Sequence, residues 1–332
     1  MENGSAFLGI DIGGTSVKIG AITADGEILE HRQIPTQAQR APDKVIADIA
    51  RTANEVRTTL EQSQDKEIKS LGVGVPGAVD WKEGVCRLLP NFPHGWKGVR
   101  LKAQLEEHLN LPTFPINDVR AITFAENLFG AGKNVSSLVM AAIGTGIGGG
   151  VIIGNQLLLG KDGSAGEFGH INVEPGGILC GCGSRGCLEC YASGPAIAGA
   201  ALRSLVQQND TLIRDLVEND YNKVSAAIVA QAAEQGDQIA KEILSTAGKY
   251  IGRAMTKVAV VVNPEMVVIG GGVAQAGRVL FGSICKSFHK TLHIIQSETI
   301  QIRLSELGVL AGIQGSAAWG MHARTAPDEG TS

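Results

Sequence analysis

Four cysteines and a histidine crowd one short stretch of the chain. In GHINVEPGGILCGCGSRGCLEC, His170 precedes Cys180, Cys182, Cys187 and Cys190. Three thiolates with one imidazole make a Cys₃His set, the donor complement of a closed tetrahedral Zn²⁺ site. Cys190 offers a second solution, a Cys₄ set in which it replaces His170. Either shell is full and cannot activate water in the usual way, so such a zinc is expected to be structural. Its duty would be to fix a loop that also carries Glu167, His170 and Glu189. Glycines at 181, 183 and 186 let the chain turn tightly around an ion.

A second group of chemistry-bearing residues is Asn117-Asp118, between an apolar strand and a helix. Asp118 has two readings, a helix N-cap or a carboxylate at a strand C-terminus, where α/β sheets bind ligands. In the second role it accepts the proton of an attacking hydroxyl during phosphoryl transfer. Carboxylates and amides pair with the hydroxyls of a sugar, and Glu167, Glu189, Asn117 and Asp118 supply such groups. His170 can serve twice, with one ring nitrogen on the metal and the other on a sugar hydroxyl.

Three glycine segments are candidates for holding phosphate: Asp11-Ile-Gly-Gly-Thr15, Gly144-Thr-Gly-Ile-Gly-Gly-Gly150 and Gly270-Gly-Gly272. Without a Cβ, consecutive backbone N–H groups can turn inward as a nest for anionic oxygens. Thr15 and Thr145 add hydroxyl donors, and Asp11 can hold Mg²⁺. Gly144-x-Gly146-x-x-Gly149 imitates a dinucleotide fingerprint, which must open a helix. Here Val151-Ile152-Ile153 follows, a β-branched run that favours strand. A Walker A loop fails at Gly154 to Gly160-Lys161, where Asp162 stands in place of Ser or Thr.

The apolar pattern supplies elements to position these groups. Phe7–Ile12 and Val17–Thr23 read as strands around Gly13-Gly14, and Asp25-Gly26 marks a hairpin turn into a strand over 27–34. Helical spacing predicts a helix over 43–62. Leu71–Val75 is a short strand ending at Pro76-Gly77, 101–109 a helix, and Thr113–Ile116 a strand that runs into Asn117-Asp118 and a helix over 119–129. The theme then restarts: a strand over 137–143, a glycine turn over 144–150, a strand over 151–153, a long helix over 237–262 and a strand over 266–269. This predicts a duplicated α/β unit, two domains around a cleft. The small domain is residues 1–118, with a helix near 309–322 packing back on it. The larger domain, 119–308, carries the zinc loop, and 324–332 is a disordered tail.

A length of 332 residues agrees with two domains. Aromatics at 4% speak against a base-stacking surface, and a net charge of −4 offers no basic footprint for nucleic acid. The start, MENGSAFLGIDIGG, lacks a basic leader and apolar core, and no run of about 18 apolar residues can span a membrane. The expectation is a cytoplasmic protein with no nucleic-acid or membrane partner, assembling as a closed homo-oligomer, a dimer first.

Together these segments resemble the ROK family of sugar kinases and repressors, whose fold is the actin/hexokinase-like (ribonuclease H-like) ATPase. The resemblance runs from Leu8 to about Met321. It is carried by GIDIGGTSVK, the Gly74-Val-Pro-Gly77 turn, Asn117-Asp118, IGTGIGGGVIIGNQLLLG, GEFGH, CGCGSRGCLE and VVIGGGV. It implies that Asp118 is the catalytic base and that Asn117, Glu167, His170 and Glu189 hold the sugar, with Gly77 and Asn91 close to it. It places ATP with Mg²⁺ on Asp11, Gly13, Gly14, Thr15, Lys18, Gly144, Thr145, Gly146, Gly271 and Gly272, and zinc on His170, Cys180, Cys182 and Cys187. The Cys-x-Cys-Gly-x-x-Gly-Cys form looks most like the glucokinase branch, so the implied acceptor is the 6-hydroxyl of glucose. An N-acetylhexosamine (N-acetylmannosamine or N-acetylglucosamine) or fructose is the alternative. Repressor members carry a DNA-binding domain ahead of the first phosphate loop, where this chain has only a few residues. A non-catalytic sugar sensor would keep the fold but lose Asp118 or the loops, and all are present. Many members continue Asn-Asp with a small residue, Asn and Ala; here Val119-Arg120-Ala121 follows, which sets a cation next to the base.

Overall fold

The computed structural model describes residues 4–64, 66–90, 92 and 95–325. Strands β1 (Ser5–Ile12), β2 (Ser16–Ile22) and β3 (Ile28–Pro35) precede helix α1 (Pro42–Ser63). Then come β4 (Glu67–Val75), β5 (Ala78–Asp80), β6 (Val85–Leu88), α2 (Leu101–Leu109), β7 (Thr113–Asn117) and α3 (Asp118–Leu128). Strands β8 (Leu138–Ile143), β9 (Ile147–Ile153) and β10 (Gln156–Leu157) lead to α4 (Glu189–Ala192), α5 (Gly194–Val206), α6 (Ile213–Leu216), α7 (Ala226–Glu234) and α8 (Gln238–Val262). The chain ends through β11 (Met266–Gly270), α9 (Arg278–Thr291), β12 (Gln301–Leu304) and α10 (Ala311–Thr325). Among the described residues, no helix is long and apolar enough to cross a membrane.

The chain divides into two compact units. One comprises Met1–Asn134, Gln156–Ala165 and Glu306–Ser332, the other Val135–Asn155 and Gly166–Ser305.

In the first unit the sheet order is β3-β2-β1-β4-β7, with β1–β2 and β2–β3 antiparallel and β1–β4 and β4–β7 parallel. Leu8, Ile10 and Ile12 of β1 join Ile46, Ile49, Ala53 and Val56 of α1 in one core. Helix α10 lies directly on β1 and β4, which only glycine permits. A Cβ on Gly72 would stand 1.6 Å from the carbonyl oxygen of Ser316, and one on Gly9 2.1 Å from that of Ile313. Helix α3 packs against α10 in turn. That contact groups the helix starting at Asp118 with this unit, where the sequence pattern alone placed it in the following domain. Arg324 and Thr325, expected in a disordered tail, are the last residues of α10; the rest of that tail, 326–332, lies outside the described residues.

The second unit repeats most of the scheme, in the order β9-β8-β11-β12, with β8–β9 antiparallel and β8–β11 and β11–β12 parallel. Leu244, Ile251, Met255 and Val258 of α8 face Leu280, Ile284 and Phe288 of α9 in its core. The glycine stretch 144–150 is not a single turn. Gly148, Gly149 and Gly150 pair with Ala142, Ala141 and Met140, so β9 begins at Ile147 and only residues 144–146 turn.

Candidate active site

At the C-terminal end of β7 the two readings of Asp118 separate. The N-cap of α3 is Asn117, whose Oδ1 accepts from the Arg120 amide at 3.2 Å. Such a cap is worth about 1 kcal/mol, and it leaves Asp118 outside that duty. Asp118 Oδ1 instead accepts from its neighbours, Asn117 Nδ2 at 2.9 Å and the Val119 amide at 2.8 Å. Asn117 Nδ2 also reaches the carbonyl of Gly77 at 2.9 Å. Gly77 sits at φ +84, and a Cβ there would meet the Leu88 carbonyl at 2.3 Å, so this turn requires glycine. The Pro76-Gly77 turn thus orients Asn117, and Asn117 orients a half-buried carboxylate. Asn91, from the same neighbourhood of the sequence, lies outside the described residues.

In the same unit, the β1–β2 turn is closed by the Gly13 amide on the Ser16 carbonyl at 3.0 Å. Thr36 occupies two carbonyls of this turn: its hydroxyl donates to Gly13 at 2.6 Å and its amide to Thr15 at 3.0 Å. Gly14 and Thr15 remain exposed. Burial pushes the Asp11 carboxyl above its ordinary range, opposed by the charge of Lys18. Lys18 Nζ donates to the Val309 carbonyl at 2.8 Å. A carboxylate held at a cost in solvation, beside an ammonium, suits a position that a cation and phosphate oxygens will occupy.

In the second unit the glycines of β9 seat the Gly-Glu-Phe-Gly-His segment. A Cβ on Gly149 would stand 2.2 Å from the Phe168 ring, and one on Gly169 2.2 Å from the Ile147 carbonyl. Residues Phe168–His170 form a 3₁₀ turn there, with Phe168 buried and Glu167 and His170 exposed. His170 Nδ1 and the sulfurs of Cys180, Cys182 and Cys187 all lie within 4.8 Å of one another. Cys190 is not in that group, which favours the Cys₃His reading over Cys₄. The Cys182–Cys187 sulfur separation and the Cys180 Sγ–His170 Nδ1 separation are both 3.7 Å. The edge of a tetrahedral Zn²⁺ shell with ~2.3 Å Zn–S bonds is ~3.8 Å, so the donors fit that ion in kind and spacing. Burial pushes the Cys180 and Cys187 thiols up, while the Ser184 amide pulls Cys182 down to about 7. Glu189, at the start of α4, accepts from Cys180 Sγ at 3.0 Å, and its other oxygen is 3.1 Å from where a Cβ of Gly146 would stand.

A cavity of about 660 Å³ opens at the same turn, lined by Gly144, Thr145, Pro195, Ser225, Glu234 and Gly272 among others. The Gly194 amide, first in α5, donates to the Gly144 carbonyl at 2.8 Å. Gly271, at φ +83, would set a Cβ 2.4 Å from the Ile143 carbonyl, so the chain after β11 is pressed onto the end of β8. The N-termini of α5 and α7, capped by Ser193 and Ser225, contribute to the lining. Backbone N–H groups and helix N-termini around one cavity suit a phosphorylated ligand.

Residues 7–323 match the ROK family model. The chain belongs to the ROK family. A glucokinase of Thermotoga maritima is 36% identical over 312 residues, 94% of this chain and 96% of that protein. A ROK family glucokinase from Streptomyces griseus, solved with glucose and AMPPNP, superposes with a TM-score of 0.80 at 32% identity, over 96% of this ROK chain and 99% of that one. A ROK family transcriptional regulator superposes with a TM-score of 0.85 at 28% identity, covering 96% of this chain and 78% of that one. This ROK protein therefore has the actin/hexokinase-like ATPase fold, as its paired sheets already indicated.

Sequence reasoning did not reach the walls of the ROK protein's 660 Å³ cavity, Ser225, Gln231, Glu234 and Val273 among them. One signal was available: Ser193-Gly-Pro195 is a helix start, with Ser as N-cap and Pro in the first turn. Arg120 also departs from the sequence expectation of a cation set at the base. Its side chain is buried, and Nε donates to the Ala165 carbonyl at 2.7 Å.

Proposed function

We propose that this ROK protein is a cytoplasmic, ATP-dependent hexose kinase that phosphorylates glucose at its 6-hydroxyl, with Asp118 as general base. The observation that carries the reading is the Asp118 carboxylate, relieved of capping by Asn117 and held by two hydrogen bonds at a strand C-terminus. Full-length similarity to glucokinases supports glucose as the acceptor.

Asn117 and Asp118 engage the reacting end of the sugar, and Glu167, His170 and Glu189 pair with further hydroxyls. With Nδ1 turned to the cysteines, His170 has Nε2 for a hydroxyl. ATP lies with its phosphates against Gly13–Thr15, Gly144–Gly146 and Gly271-Gly272, and its nucleoside occupies the 660 Å³ cavity. Asp118 takes the O6 proton as O6 bonds to the γ-phosphorus, the bond from that phosphorus to the β,γ-bridging oxygen breaks, and ADP leaves. Asp11 would hold Mg²⁺, which would neutralise charge on the β- and γ-phosphates. His170, Cys180, Cys182 and Cys187 would hold a structural Zn²⁺ that orders the segment around Glu189.

The test is a coupled ADP-release assay with Mg²⁺ATP and a panel of glucose, fructose, N-acetylmannosamine and N-acetylglucosamine. Turnover fastest with glucose supports the assignment. Faster turnover with an N-acetylhexosamine moves the substrate, and hexose binding without turnover on any sugar removes the kinase reading.

A further inference from the structure

Among the described residues Arg120 heads the fully buried side chains by size, 2% exposed, and the phosphoryl-transfer chemistry above does not use it. Burying a guanidinium costs solvation unless it is well paired, so a position that needed only packing would be served better by an apolar residue. Arg120 connects two pieces of backbone. Its side chain leaves α3, and its Nε donates to the carbonyl of Ala165 at 2.7 Å. Ala165 ends the segment that belongs with α3 in the first unit, and Glu167 follows two residues later. The same segment is held at Asp162, 3.7 Å from Arg87, and at Gly163, where a Cβ would meet Trp81 at 3.0 Å. The planar guanidinium fixes the direction of its bond better than a flexible ammonium does.

We propose that Arg120 is a positioning residue for the sugar. One side chain ties the helix bearing Asn117 and Asp118 to the backbone at Ala165, and so holds those two residues where they grip the hexose. The proposal deepens the hexose-kinase reading and rests on it. Arg120 acts through the Ala165 carbonyl and does not itself bind the sugar.

The experiment compares full-length wild type with R120M, R120K and E126Q. Glu126 is the control: it is fully buried on the same helix, about 12 Å along the axis from Asp118, and accepts from the amides of Ala131, Glu306 and Leu307 at 2.9, 3.0 and 3.1 Å. Glucose affinity is measured by calorimetry without nucleotide, alongside KM for both substrates, kcat and the thermal midpoint. R120M is expected to weaken glucose about tenfold and leave the KM for ATP within about twofold. R120K should recover part of the glucose affinity, and E126Q should lower the midpoint with glucose affinity intact. A folded R120M with wild-type glucose affinity overturns the proposal. So does R120M matching E126Q in every readout, or failure of both Arg120 variants to fold, since each makes Arg120 merely structural. Wild type that binds glucose without turnover refutes only the kinase reading, because the affinity ratio still decides the role of Arg120. Wild type that binds none of the sugars overturns both.

Discussion

The two units run four strands in the same order and the same senses, β2-β1-β4-β7 in one and β9-β8-β11-β12 in the other, yet their leading turns carry opposite kinds of chemistry. The β1–β2 turn is charged: Asp11 is half-buried at its entrance, Lys18 stands on the returning strand, and Thr36 occupies the carbonyls. The β8–β9 turn has no ionisable residue of its own, and offers backbone, the Thr145 hydroxyl and the N-termini of α5 and α7 around a cavity. A shared topology therefore places a hairpin at the end of a parallel pair in each unit, and side chains decide what it does. The charged turn suits the metal and the reacting phosphates, while the neutral one suits the body of a nucleotide.

Four experiments would break or sharpen this contrast. Asp118→Asn should lower turnover by about 10²–10⁴-fold, the usual contribution of a general base, with glucose affinity largely kept. Near-normal turnover would move the chemistry out of the first unit. Gly271→Ala must fit a Cβ against the end of β8 at a positive φ, and should raise the KM for ATP about tenfold or more. An unchanged KM for ATP would take the nucleotide away from this loop. Cys182→Ser should abolish bound zinc by metal analysis and lower the thermal midpoint. A stable, zinc-free variant with normal glucose affinity would show that the second unit needs no ion.

The smallest effect is expected at Asp11. Its carboxyl is raised above the ordinary 3.8 by burial, so stability is fullest below that value and declines as pH rises through the native pKa. Asp11→Asn should therefore raise the thermal midpoint at neutral pH, with the gap to wild type closing in acid. A lower midpoint at neutral pH would mean that Lys18 outweighs the solvation loss and that the turn is stabilised by its charge.

Much of this was legible in the chain. The Cys-x-Cys-Gly-x-x-Gly-Cys run declared its donors because metal ligation depends on residue types at short spacing, and the four donors do converge. Strands around β1, β4, β7, β8 and β11 were visible as apolar runs bounded by glycine or proline. The Ala-rich helices α5 and α7 and helix α9 were not picked out, and with α5 and α7 went the cavity they line.

What the sequence determined by itself were the local matters: which residues can ligate, cap, turn or accept a proton, because those properties belong to side chains and short segments. The folded structure decided that Asn117, not Asp118, caps α3, and that Cys190 stays out of the cluster of His170, Cys180, Cys182 and Cys187. It alone put α3 with the first unit and sent the Arg120 side chain to the Ala165 carbonyl, 45 residues along the chain. The last outcome turns on which distant backbone group lies within hydrogen-bond reach, and no spacing within a single segment encodes that.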